Sequence, residues 1–432
     1  MLCIFAFAFV ATACGGGGGG GGGGGSSPPL PTYSISGTVS GGAQAGVTIT
    51  VSPGGQSTVT TSNGSYVLSG IPYGGAVPYT ITPSLAGYTF TPFNAPVVLN
   101  GADVTGVNFT TPVPMLTTGK ILYPSYPYPA LAIRLQDLST GTTTTLWNGG
   151  VAYAERIVPA RAGNKVSFMG SNLNGMIMSL SMPTGVLSIG IPGYPSLNQY
   201  CSTVPKGSFD VSPLGDYAVF SNGCVSADGL VGYRDIFLVK MDGLLSSIIR
   251  VTDDYAMDYS PAFCGTDAVS GNVFVCFVSN KSGMRGVWKQ AINPTSGLLV
   301  GPQVIVTNLT TDVMELKFYS TENRTISVNA DYTQVAFMKN VGGISHIAVV
   351  PLAGGAEVDL GEGSLPYWAV DGSNKILFTS NHTLEVTDRS LWRLFAINPD
   401  GTGKMQVPIP SDLNSIWLGY GVGNIVFAPA GF

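Results

Sequence analysis

One feature constrains this chain more than any other: a unit of roughly 45–50 residues repeats along its larger part. The clearest copy runs through Phe209–Gly215, Asp216–Ser221, Asp235–Gly243 and Ile248–Thr252. It returns over Asp258–Ala262, Asn272–Ser279, Gly286–Ala291 and Val304–Val306. A third copy follows Ile326–Asp331, Gln334–Phe337, His346–Val350 and Ala356–Val358, and a fourth Leu365–Gly372, Lys375–Ser380, Leu391–Asn398 and Met405–Val407. Each copy reads as four short strands separated by Gly, Asn or Asp turns. A four-stranded antiparallel sheet cannot bury both faces alone, whereas sheets stacked radially bury each other. The repeat therefore predicts a β-propeller over residues 116–432. Gly119–Asn148 adds about three strands, Arg156–Pro192 about four and Ile416–Ala428 about two. The count is six blades, with strands from the two ends meeting to close the ring. Seven remain open, because the end pieces add up to about one strand too many.

The stretch before it, residues 32–112, is also all-β but non-repetitive. Tyr33–Val39, Gly46–Val51, Ser57–Thr61, Ser65–Leu68, Tyr79–Thr82 and Val107–Phe109 alternate apolar and polar residues, and Asn63-Gly64 is a hairpin signal. About seven strands in about 80 residues predict a small β-sandwich.

Two resemblances extend these readings. Ile35–Val39, Thr61–Ile71, Tyr79–Pro83 and Gly87–Phe90 resemble the carboxypeptidase-regulatory-like (prealbumin-like) sandwich, which implies a folding and spacing module. Tyr66, Tyr79, Tyr88 and Phe90 are read as packing residues, with sugar stacking as the alternative. Asp258–Ala262 with Phe277–Gly283, and Trp368–Gly372 with Lys375–Ser380 and Ala396–Gly401, resemble the repeat of TolB-like propellers. That resemblance implies a six-bladed cell-envelope propeller used for protein contact, and it brings no catalytic residues.

Residues 1–14 read as a lipoprotein signal. An apolar run ends at Ala11-Thr12-Ala13-Cys14, which resembles a lipobox with Ala11 where Leu is usual. Cys14 is the expected lipidation site; the alternative is an ordinary signal cleaved near Ala13. Residues 15–31 then form a tether, Gly15–Gly25 followed by Ser26-Ser27-Pro28-Pro29. Polyglycine has maximal backbone freedom, and this tract has an r.m.s. span of roughly 20 Å. Gly15, rather than Asp, follows the cysteine, which favours the outer membrane. The apolar run Ile4–Ala13 is too short to span a bilayer.

Cysteine number fits an oxidising compartment. Beyond the signal lie Cys201, Cys224, Cys264 and Cys276. Three pairings exist; Cys264–Cys276 and Cys201–Cys224 are favoured, with buried free thiols as the alternative. Charged residues make up only 10% of the chain and the net charge is −5, which argues against nucleic acid.

No cofactor or metal is expected. The two histidines, His346 and His382, are far apart in sequence and His346 reads as strand packing. Asp253, Asp254 and Asp258 read as blade connections rather than calcium ligands, and Asn398–Gly401 as a turn. Trp147, Trp288, Trp368, Trp392 and Trp417 read as packing between blades. No G-x-S-x-G is present, so serine hydrolase chemistry is not expected. The leading expectation is a membrane-anchored protein-binding or scaffold lipoprotein with an envelope protein as partner. A lyase or glycan hydrolase using carboxylates at the channel mouth is second, and a purely structural envelope protein third.

Overall fold

The computed structural model describes residues 29–73, 75, 78–125, 132–148, 154–161, 164–170, 176–182, 186–191, 208–225, 232–242, 248–308, 310–314, 317–318, 321–322, 325–379, 393–408 and 425–429. Every regular element among them is a strand. The sandwich comprises β1 (Thr32–Gly41), β2 (Thr48–Ser52), β3 (Ser57–Val59), β4 (Ser65–Pro72), β5 (Pro78–Ser84), β6 (Ala95–Val98) and β7 (Phe109–Thr111). One sheet has the order β4-β1-β7 and the other β3-β2-β5-β6. Burial alternates along β2 and β5, so Ile49, Val51, Tyr79 and Ile81 meet Ile35, Val39, Leu68 and Phe109 in one core. The sequence pattern missed β6. Pro96 weakens the strand signal there, and the structure tolerates it because β6 lies at a sheet edge.

Six four-stranded sheets follow. Blade I holds β8 (Lys120–Ser125), β9 (Ala132–Asp137) and β10 (Thr143–Asn148), completed by the last of the described strands. Blade II is β11 (Ala154–Pro159), β12 (Lys165–Gly170), β13 (Met176–Ser181) and β14 (Val186–Ile191). Blade III is β15 (Phe209–Val211), β16 (Tyr217–Val225), β17 (Gly232–Lys240) and β18 (Ile248–Arg250). Blade IV is β19 (Tyr259–Thr266), β20 (Val273–Ser279), β21 (Gly286–Ile292) and β22 (Leu299–Ile305). A two-strand hairpin, β23 (Lys317–Phe318) and β24 (Thr321–Glu322), precedes blade V. Blade V is β25 (Ile326–Val328), β26 (Gln334–Val341), β27 (Ile344–Pro351) and β28 (Val358–Glu362). Blade VI is β29 (Ser364–Trp368), β30 (Ile376–Thr379), β31 (Leu394–Ile397) and β32 (Met405–Val407). The strand β33 (Val426–Phe427) then pairs antiparallel with β8, Val426 opposite Leu122. Among the described residues six blades result, and the end piece contributes one strand to them.

Packing explains why blade strands read as apolar runs while sandwich strands alternate. A blade has neighbours on both sides, so β19 and β20 are buried on both faces. Side chains at each junction form a core shared by adjacent blades. Phe220 and Phe237 stack at 5.7 Å in the cluster joining blades II and III, and Phe337 joins IV to V. Trp368 and Phe378 join V to VI. The cluster holding Tyr367 and Leu377 of blade VI also contains Leu122 and Phe427, so the ring closes through packing as well as strand pairing. Each large apolar side chain buried this way contributes roughly 1.5–3 kcal/mol.

The sandwich is clamped to the rim of the ring. Linker residues Pro114 and Leu116 exchange backbone hydrogen bonds with Gln406, at 2.8 and 2.7 Å, extending the outer edge of blade VI. The Asn63-Gly64 hairpin tip docks beside it, where the Ser62 hydroxyl donates to the Asp359 carbonyl of β28. Gly64 is required at φ +84°, where a Cβ would lie 2.0 Å from the Val39 carbonyl oxygen. Gly401 seats the tip, because a Cβ there would lie 2.5 Å from the Ser62 carbonyl oxygen.

Candidate functional site

Three regions bear on function: the propeller axis, the charged end of blades III to V, and the cleft between sandwich and ring.

At the axis, the innermost strand of each blade has one unpaired edge. Side chains of the preceding blade accept its N–H groups. Phe263 N–H donates to Asp210 Oδ2 at 2.9 Å, Thr325 N–H to Ser260 Oγ at 3.1 Å and Trp368 N–H to Ser327 Oγ at 2.8 Å. Arg161, just after β11, reaches across the ring from blade II to blade V. Its guanidinium donates to the carbonyls of Val328 (2.8 Å) and Asn329 (2.9 Å) and lies 4.8 Å from the centre of the Tyr332 ring. Blades II and V are diametrically opposite in a ring of six, so this strut crosses the axis. Burial pushes the Tyr332 hydroxyl above its ordinary pKa. No sequence signal singles out Arg161, because its partners lie 167 and 168 positions away.

The charged end is organised around carboxylates. Asp235 on β17 is fully buried and receives Arg250 Nη2 at 2.6 Å and Nε at 3.1 Å. Burial nevertheless pushes it up to about 7, against the pull of Arg250 and Thr252. Arg250 also pairs with the exposed Asp253 at 2.5 Å. Asp258, just before β19, is fully buried and neither of its oxygens receives a well-formed hydrogen bond. Burial pushes it up to about 6, although the Ser279 and Thr252 hydroxyls and Lys281 pull it down. The next junction repeats the device, with Arg285 held to Asp312 at 3.0 Å. Asp254 caps its own turn through the Ala256 N–H. The three aspartates Asp253, Asp254 and Asp258 thus face different partners, and no group of three metal-ligating side chains occurs among the described residues. Asp235 and Asp258 are closed to solvent; Asp235 ties β17 to Arg250 of β18 within blade III, and Asp258 lies in the connection from blade III to blade IV. Tyr255 beside them is 73% exposed and stands edge-on to Tyr233 at 5.5 Å.

The cleft lies between β1, the hairpin tip and the linker on one side, and blades V and VI on the other. It encloses about 670 Å³ and is lined by Ser40, Gln44, Asn63, His346, Glu362, Arg393, Phe395 and Lys404 among others. His346 Nδ1 lies 3.0 and 3.1 Å from the Asp359 carboxylate, which Lys339 also approaches at 3.4 Å. Burial raises the Asp359 carboxyl, but His346, the Gly361 N–H and Lys339 outweigh it and hold it below its ordinary value. Lys404 rests 5.4 and 5.1 Å from the ring centres of Phe378 and Phe395, and burial lowers its pKa despite Glu362. Neither Lys404 nor this cleft was legible in the sequence.

Of the cysteines, Cys264 and Cys276 form a disulfide between β19 and β20, with Cα atoms 5.7 Å apart. Cys224 is also disulfide-bonded. Cys14 and Cys201 lie outside the described residues, as do His382, Trp392 and Trp417. Trp147 packs against Phe168 at 4.9 Å, joining blades I and II. Trp368 is buried and donates to Asn374 Oδ1 at 2.8 Å. Trp288 carries the Lys281 ammonium 4.0 Å from its ring centre. Asn398–Gly401 forms a turn, with Gly401 N–H donating to the Asn398 carbonyl at 3.0 Å.

No family model and no curated protein matches this chain. Among solved structures it is similar to TolB from Acinetobacter baumannii, at 15% identity over 73% of this chain and 67% of that one, TM-score 0.46. It is similar to a chain of a nidogen/laminin complex at 12% identity over 68% and 95%, TM-score 0.43. An oligogalacturonate lyase from Vibrio parahaemolyticus is similar at 11% identity over 68% and 76%, TM-score 0.42. At these levels of similarity, the propeller rests on its own strand pairing: six four-stranded sheets closed by β33.

Proposed function

We propose that this chain is an extracytoplasmic lipoprotein, anchored through Cys14, whose propeller is a binding or scaffold platform for a protein of the cell envelope. The observation that carries this reading is where the sandwich sits. It holds the ring at the outer strands of blades V and VI, through Ser62 on Asp359 and through Pro114 and Leu116 on Gln406. A head held by its rim on a polyglycine leash presents its faces to a partner. Tyr255, exposed beside the Arg250–Asp253 pair, has the aromatic and cationic chemistry that dominates protein contacts. Gly15 after Cys14 supports placement at the outer membrane, and the paired cysteines support an oxidising compartment.

Membrane fractionation tests the anchor. The wild-type chain is expected in the membrane fraction with an acylated N-terminus by mass spectrometry, and Cys14→Ser in the soluble fraction. A soluble wild-type chain, or a C14S variant that stays on the membrane, refutes it. For the platform, cross-linking in intact cells is expected to join a defined envelope protein to the wild type and to weaken with Tyr255→Ala. Cross-links unaffected by Y255A would remove this surface from the reading.

A further inference from the structure

The cleft between the two domains brings together the half-buried Lys404 ammonium and the buried Gln44 side-chain carbonyl, which has no hydrogen-bond partner. Lys404 donates no hydrogen bond and forms no ion pair among the described residues; the Phe378 and Phe395 rings are its near neighbours. Taking an ammonium out of water costs free energy unless an anion or acceptor replaces the lost hydration, and two ring faces replace only part of it. Across the cleft, Gln44 is 7% exposed and its Oε1 accepts nothing. A cation lining the cleft on one wall and an orphaned acceptor on the other describe a ligand with an anionic end and a hydrogen-bond donor.

We propose that this cleft binds a small carboxylate-bearing molecule, with the Lys404 ammonium as the seat of its acid group and Gln44 as acceptor for a hydroxyl or amide. The volume of about 670 Å³ lies in the range of small-molecule sites, and a boundary between domains is where such sites concentrate. Lys404, Arg393 and Glu362 all line the cleft, two cations to one anion, a balance that favours an anionic ligand. Ser40 and Asn63 on the sandwich side offer polar contacts, and Phe395 offers a flat apolar surface. This site is separate from the propeller faces and stands whether or not those faces bind protein.

Two sources of the acid group are compatible with these walls, a sugar acid and an amino-acid carboxylate. The purified full chain is titrated by calorimetry with glucuronate and with N-acetylglycine, each beside its neutral counterpart, glucose and N-acetylglycinamide. One of the acids is expected to bind while its neutral counterpart does not. Lys404→Gln is expected to weaken that binding at least about tenfold, the scale of one charged hydrogen bond. A second measurement needs no substitution: the bound acid should protect Lys404 from acylation by an amine-reactive ester, read by peptide mass spectrometry. The proposal is overturned if neither acid binds, if the neutral counterpart binds equally, or if Lys404 acylates at the same rate with the acid present.

Discussion

Asp258 offers the sharpest quantitative test of how the blades are joined. It is a fully buried carboxyl without a well-formed hydrogen bond, and burial lifts its pKa from 3.8 to about 6. A shift of about two units corresponds to ~3 kcal/mol between its protonated and ionised forms. The sign follows from which state holds the proton more tightly. Below pH ~4 both folded and unfolded chains carry a protonated Asp258, and the group imposes no electrostatic cost. Between pH ~4 and ~6 the unfolded chain ionises first, so stability falls as pH rises. Above pH ~6 the folded protein carries the buried charge and the loss is complete. Asp258→Asn removes the charge and keeps the shape. Its stability relative to wild type should therefore rise by ~3 kcal/mol between pH 4 and pH 7.5, on the order of 5 °C in Tm for a domain of this size. Thermal unfolding of both proteins at half-unit pH steps measures this difference directly; titrating groups remote from position 258 cancel in the comparison, and adding Asp235→Asn to both proteins removes the charged neighbour that Asp258 acts on. A D258N-to-wild-type difference that stays flat across that range would refute the reasoning.

Three further outcomes follow from the geometry. The Cys264–Cys276 disulfide closes a short loop with a sequence separation of 12, so replacing both cysteines by serine should cost ~3 kcal/mol in denaturant unfolding. Arg161→Met deletes two charged hydrogen bonds and a cation–π contact across the ring; a loss of ~2 kcal/mol or more is expected by urea titration, and an unchanged midpoint would mean the strut bears no load. Gly401→Ala drives a Cβ into Ser62, so the sandwich should undock. Solution scattering should then show a larger radius of gyration and proteolysis should increase near residues 112–116, while the propeller melts where it did before.

What could be read from the sequence was whatever repeats or alternates locally. The blade strands are short apolar runs cut by turn residues, because each sheet is buried on both sides. The sandwich strands alternate because each has one face toward solvent. Six rather than seven blades depended on how many strands the C-terminal region contributes to blade I, a pairing between Val426 and Leu122 that no local pattern encodes. The same limit hid the candidate sites. Asn63-Gly64 and Asn398–Gly401 both read as turns, which they are, but their contact across the domain boundary depends on two segments far apart in the chain. Nothing local marks Lys404; only the fold places it over Phe378 and Phe395, facing a cavity. Arg161 spans the axis through partners 167 and 168 positions away, which no local pattern encodes.

The pairing of β33 with β8 also dictates an order of assembly. Blade I is left with an incomplete sheet until residues at the far end of the chain arrive, so a nascent or truncated chain carries an open strand edge at its first blade and no seal between first and last. Such an intermediate is a template for wrong pairing with a neighbouring molecule. Loss of a few residues around Val426 should therefore harm yield and solubility far more than loss of as many residues from the polyglycine tract.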